Sequence, residues 1–92
     1  MFEQKAVEEK IHELYPDIKK YGLFMKVKKD QLIGGENYIV TLEKDTRSTN
    51  FTIGREDVQT CMDGHLCSLI TLELGDFIKQ FIDESYALPE AG

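Results

Sequence analysis

A chain of 92 residues with 41% hydrophobic side chains has the length of one domain and enough apolar mass for one core. No apolar run approaches the length of a membrane span, and the first residues lack the charged-then-apolar pattern of a secretory signal, so a cytoplasmic location is expected. The net charge is −6, and it is unevenly placed: residues 1–53 hold nine basic and nine acidic residues, leaving two basic and eight acidic for residues 54–92. An acidic C-terminal part disfavours nucleic acid and anionic membrane, whose recognition depends on Lys and Arg, and favours basic partners on that side.

Val7, Ile11, Leu14 and Ile18 recur at helical spacing, with Glu8, Glu9, Lys10 and Glu13 largely opposite. Pro16 restricts Tyr15 and removes a backbone donor, which predicts a helix ending near Leu14, followed by a turn or short second helix that closes at Gly22. From Leu23 to Lys29 the period changes to two, Leu23, Met25 and Val27 sharing one face, and Phe24, Lys26 and Lys28 the other. Gly34 and Gly35 predict a hairpin turn, and Asn37 to Lys44 alternate again. A polar stretch, Asp45 to Asn50, leads into a third short strand at about Phe51 to Ile53.

Val58, Cys61 and Met62, closed by Gly64, predict a short helix from Arg55 to Asp63. Leu66, Ile70, Leu74, Phe77, Ile78, Phe81 and Ile82 predict a long core helix. Its start has two readings, because Leu66, Ile70, Leu72 and Leu74 also fit a strand bounded at Gly75. The expected fold class is α+β: helix, three-stranded antiparallel sheet, short helix and long C-terminal helix, with helices packed on one sheet face. Residues 1–84 form the expected single domain and residues 85–92 a flexible tail. The expected core comprises Val7, Ile11, Leu14, Leu23, Met25, Val27, Val40, Leu42, Phe51, Ile70, Leu74, Phe77 and Phe81.

Cys61, His65 and Cys67 offer thiol and imidazole donors within seven residues, the ligand types of zinc. A structural zinc site takes four ligands, and this spacing supplies no second cysteine pair; both cysteines also fall on apolar faces, so reduced core thiols are expected and no cofactor is implied. His12 and His65 are the only histidines, and no nucleophile-elbow, phosphate-loop or dinucleotide motif accompanies them. No catalytic residue is assigned. Lys19, Lys20, Lys26, Lys28 and Lys29 form a basic cluster, and the order of elements resembles double-stranded-RNA-binding domains in topology alone. That family's final helix begins with lysines, whereas Glu73, Asp76 and Asp83 stand here with Lys79 alone, so no nucleic-acid partner is expected.

Three functional readings follow. The favoured one is a small protein-interaction or assembly module, binding a protein partner or a second copy through Phe24, Lys26, Lys28, Ile39 and Thr41 on the uncovered sheet face. The alternatives are a small enzyme of unspecified reaction and a zinc-dependent regulator using Cys61, His65 and Cys67.

Overall fold

The structure is a computed structural model that describes residues 2–30 and 37–87. Helix α1 spans Gln4–Leu14 and buries Val7 and Ile11, members of the apolar stripe. It stops where Tyr15 leaves helical geometry ahead of Pro16, and a single turn, α2 (Asp17–Lys20), buries Ile18. Gly22 ends this turn at φ +70°, with backbone bonds from Gly22 to Lys19 and from Leu23 to Ile18 closing the helix end. A side chain there is disfavoured by the left-handed backbone, whereas the Lys44 ammonium 3.0 Å from where a Cβ would stand is the end of a flexible side chain that can move aside.

Strands β1 (Phe24–Asp30), β2 (Asn37–Lys44) and β3 (Arg47–Ile53) form an antiparallel sheet in the order β1-β2-β3. Leu42 lies opposite Met25 on one side and Thr49 on the other, and Val40 lies between Val27 and Phe51. This register puts Met25, Val27, Tyr38, Val40, Leu42, Phe51 and Ile53 on one buried face. The Gly34-Gly35 turn lies outside the described residues. The β2–β3 turn is Asp45-Thr46, with Asp45 at φ +55°, a conformation that Asp tolerates better than most residues.

Helices α3 (Arg55–Met62) and α4 (Ser68–Phe81) complete the layer over that face. Gly54 has no side chain to cap α3, and the Asp57 carboxylate accepts a bond from the Gly54 N–H at 3.3 Å instead. Gly64, at φ +90°, ends α3 in the same way that Gly22 ends α2. Every residue of the expected core is buried except Leu14 and Phe81, which pack part-exposed against its margin.

Three expectations change in detail. β3 begins at Arg47, four residues before the apolar positions that reveal it, because a strand whose outer face meets solvent accepts Ser, Thr and Asn and is defined by backbone pairing. The strand reading of residues 66–74 does not hold: α4 is helical from Ser68, Gly75 is buried inside it, and Leu72, which a period of two would turn inward, is 51% exposed. Lastly, the core runs beyond residue 84. Tyr86, within the expected tail, is buried and donates a bond of 2.6 Å to the Asp17 carboxylate.

Candidate interaction face

Strand parity divides the sheet into a face covered by helices and a face that none of the described elements covers. On the open face the register builds three rows: Phe24, Glu43 and Ser48; Lys26, Thr41 and Asn50; Lys28, Ile39 and Thr52. The five residues singled out from sequence, Phe24, Lys26, Lys28, Ile39 and Thr41, are therefore brought together. Phe24, Lys26 and Lys28 are exposed, whereas Ile39 and Thr41 occupy the central strand and are half-buried by their neighbours. Thr41 donates to the Asn50 side chain at 2.6 Å, fixing the middle row.

Phe24 is the most solvent-exposed large hydrophobic residue among those described, at 57%. Its position at the start of an edge strand leaves one side of the ring without a cross-strand neighbour. The face thus carries an aromatic corner and two ammonium groups over a polar middle, with Glu43 opposite Phe24 as its acid. Ser48 and Asn50 also belong to it, a membership concealed in the sequence because the apolar positions of β3 begin only at Phe51. Alternation extended back from Phe51 reaches both.

The sulfur and imidazole groups behave differently. Cys61 and Cys67 are both buried free thiols, while His65 is exposed, so the three candidate zinc donors do not converge. Among the described residues no three His, Cys, Asp or Glu side chains are grouped to hold a metal ion. Burial, with the Cys67 sulfur and the Asp57 carboxylate nearby, pushes the Cys61 thiol up to about 12, and burial raises Cys67 as well. Both are held as neutral thiols at neutral pH, a poor state for nucleophilic or redox chemistry.

His12 sits apart from these groups, on α1. Its Nδ1 is buried with no hydrogen-bond partner among the described residues, and burial together with the Lys19 charge lowers its pKa, against an opposing pull from Glu8. Tyr15 is a titratable group with a structural role, which the residue order marks only as a helix end. Its hydroxyl donates to the Cys67 carbonyl at 2.9 Å, accepts from the Cys67 N–H at 2.8 Å and bonds the Thr71 hydroxyl at 2.8 Å. That single hydroxyl ties the end of α1 to the start of α4.

No family model, curated protein or solved structure matches this chain. The reading of function therefore rests on the geometry of the open face.

Proposed function

We propose that this protein is a protein-interaction module that docks through the open face of its sheet, with a second copy of the chain as the first occupant to test. The observation that carries the proposal is Phe24, an aromatic ring held 57% exposed beside Lys26 and Lys28 on a face that no described helix covers. Aromatic anchors bordered by long cationic side chains suit protein contacts, because the ring supplies buried area at small entropic cost and the charges select the partner. The C-terminal part of the chain is acidic, so such a face is its complement.

The test compares wild type with Phe24→Glu by light scattering over a wide concentration range. Wild type is expected to gain mass with concentration, and the variant to remain monomeric with unchanged melting. A wild type that stays monomeric, and that forms no cross-links through a photoreactive residue placed at position 24, would remove support for the face. Unfolding of Phe24→Glu would contradict the exposure on which the proposal stands.

A further inference from the structure

The two edges of the sheet are finished differently. On the β1 edge the Val27 N–H donates to the Glu8 carboxylate at 3.2 Å, and the Lys29 N–H donates to the Gln4 side chain. Both acceptors come from α1, so this edge already has its partner. Carried across the antiparallel register, the alternation of backbone groups turns Arg47, Thr49, Phe51 and Ile53 toward β2 and sends the N–H and C=O of Ser48, Asn50 and Thr52 outward. Among the described residues nothing bonds these outward groups.

Beside that free edge runs a recess of about 170 Å³ between β3 and α4, lined by Thr49, Glu73, Asp76, Phe77, Gln80 and Phe81. Phe77 and Phe81 meet edge to face at 5.1 Å in its wall, and the Arg47 guanidinium lies over the Phe81 ring, 5.1 Å from its centre. Glu73 and Asp76 project from the α4 flank along it, and among the described residues neither is in an ion pair. An unpaired strand edge, an aromatic wall and two carboxylates outside any ion pair among the described residues thus lie along one groove, with the Arg47 charge confined to its Phe81 end.

The geometry points to this groove as a binding site for an extended basic peptide segment, added to the sheet as a fourth strand beside β3. Backbone bonds to Ser48, Asn50 and Thr52 would hold the segment, as in other strand-addition complexes. Alternate side chains of an added strand fall on the helix side, about 6.6 Å apart, a spacing near the roughly 5–6 Å between the Cβ atoms of residues three apart on α4, as Glu73 and Asp76 are. The segment it fits therefore carries Lys or Arg at two positions separated by one residue, one for each carboxylate. A second copy pairing β3 to β3 would set each α4 beside its mate, with Glu73 and Asp76 of both chains on the same side of one continuous sheet. Like charge disfavours that arrangement and leaves the basic peptide as the occupant. The site shares β3 with the open face, through edge backbone groups and not through the side chains that face it, and does not depend on Phe24.

The experiment uses fluorescence anisotropy of a peptide of roughly ten residues alternating Lys and Thr, against the same peptide with Glu for Lys. The Lys peptide is expected to bind, more weakly as salt rises, and to slow exchange of the Ser48, Asn50 and Thr52 amides. Glu73→Gln with Asp76→Asn should weaken binding by about tenfold or more, as should N-methylation of alternate peptide amides, while Phe24→Glu should leave it unchanged. Absence of Lys-peptide binding would overturn the assignment, and so would equal binding of the Glu peptide or indifference to N-methylation. Protection of the three β3 amides by self-association of wild type would overturn it in favour of a second copy.

Discussion

The two ends of α4 are each fastened by a tyrosine, and the two fastenings are built on opposite principles. At the N-terminal end Tyr15 is 3% exposed and its hydroxyl bonds only neutral groups, the Cys67 backbone and the Thr71 hydroxyl. At the C-terminal end the Tyr86 hydroxyl bonds the Asp17 carboxylate, the Tyr21 ring meets Tyr86 edge to face at 5.6 Å, and Asp83 accepts from the Ser85 hydroxyl and N–H. A buried neutral hub gains rigidity from low dielectric but leaves several groups unpaired if it is lost. A wetter clasp built on carboxylates depends on pH and salt, yet water can replace its partners.

Between these two ends the helix is held by apolar packing, which sets the scale for both. Phe77 is buried at 2% exposure in the middle of the inward face. Phe77→Ala should cost about 3–5 kcal/mol, more than the loss of either tyrosine hydroxyl, and enough to unfold much of a domain this small. Urea titration followed by circular dichroism would check it. Phe81→Ala should cost less, because Phe81 is part-exposed at the margin.

Tyr15→Phe is the sharpest test of the buried end. The ring remains, but the Cys67 N–H, the Cys67 carbonyl and the Thr71 hydroxyl lose their common partner, for an expected cost of about 1–3 kcal/mol. Amides of the first turn of α4 should also exchange faster. A variant as stable as wild type would mean that the hub contributes no net stability and that the contrast between the two ends is false.

Tyr86→Phe should cost less, about 0.5–1.5 kcal/mol, because the Asp17 carboxylate it leaves is only part-buried and can be rehydrated. Tyr86→Ala adds the loss of the ring from the core and of its contact with Tyr21, so the difference between the two variants separates packing from hydrogen bonding. Thermal melting at neutral pH is the measurement. Equal losses in both variants would assign the whole effect to the hydroxyl.

These contrasts explain which parts of the molecule are legible in residue order. Amphipathic period alone locates α1, β1 and β2, and the parity that buries Met25 and Val27 also exposes Phe24, Lys26 and Lys28, so the open face is accessible from sequence. Both tyrosine fastenings escape because their partners are 52 to 69 residues away along the chain, at positions that no local pattern links. Tyr15 looks like punctuation before Pro16, and Tyr86 like part of an unpatterned tail. The β3 groove is hidden for a further reason. Finding it requires the strand order, the identity of the one edge that α1 does not cap, and the side of α4 that flanks the other.

The smallest expected effect lies in the pH profile, where the carboxylate clasp adds an acid limb to an alkaline one that both ends share, since burial and the neighbouring Asp17 and Asp83 charges also raise the Tyr86 and Tyr21 hydroxyls. At the exposed clasp the Ser85 bonds hold the Asp83 carboxyl below its usual 3.8, so its contribution is present above that value and is lost as pH falls through the folded pKa. At the buried end burial raises both the Tyr15 hydroxyl, against the opposing pull of its Thr71 and Cys67 bonds, and the nearby Cys61 thiol, the latter from 9.0 to about 12. Their contributions are therefore complete below the ordinary values and are lost as pH rises, for Cys61 between 9.0 and about 12. Melting temperatures of wild type and Asp83→Asn should accordingly differ slightly at neutral pH and converge as pH falls below 3.8 and the wild-type carboxyl protonates. Cys61→Ala should be less stable than wild type at neutral pH through lost packing, but should fall off less steeply above pH 9.0. If Cys61→Ala instead altered the acid limb, or Asp83→Asn left that limb unchanged, the division into a neutral buried fastening and one built on carboxylates would be wrong.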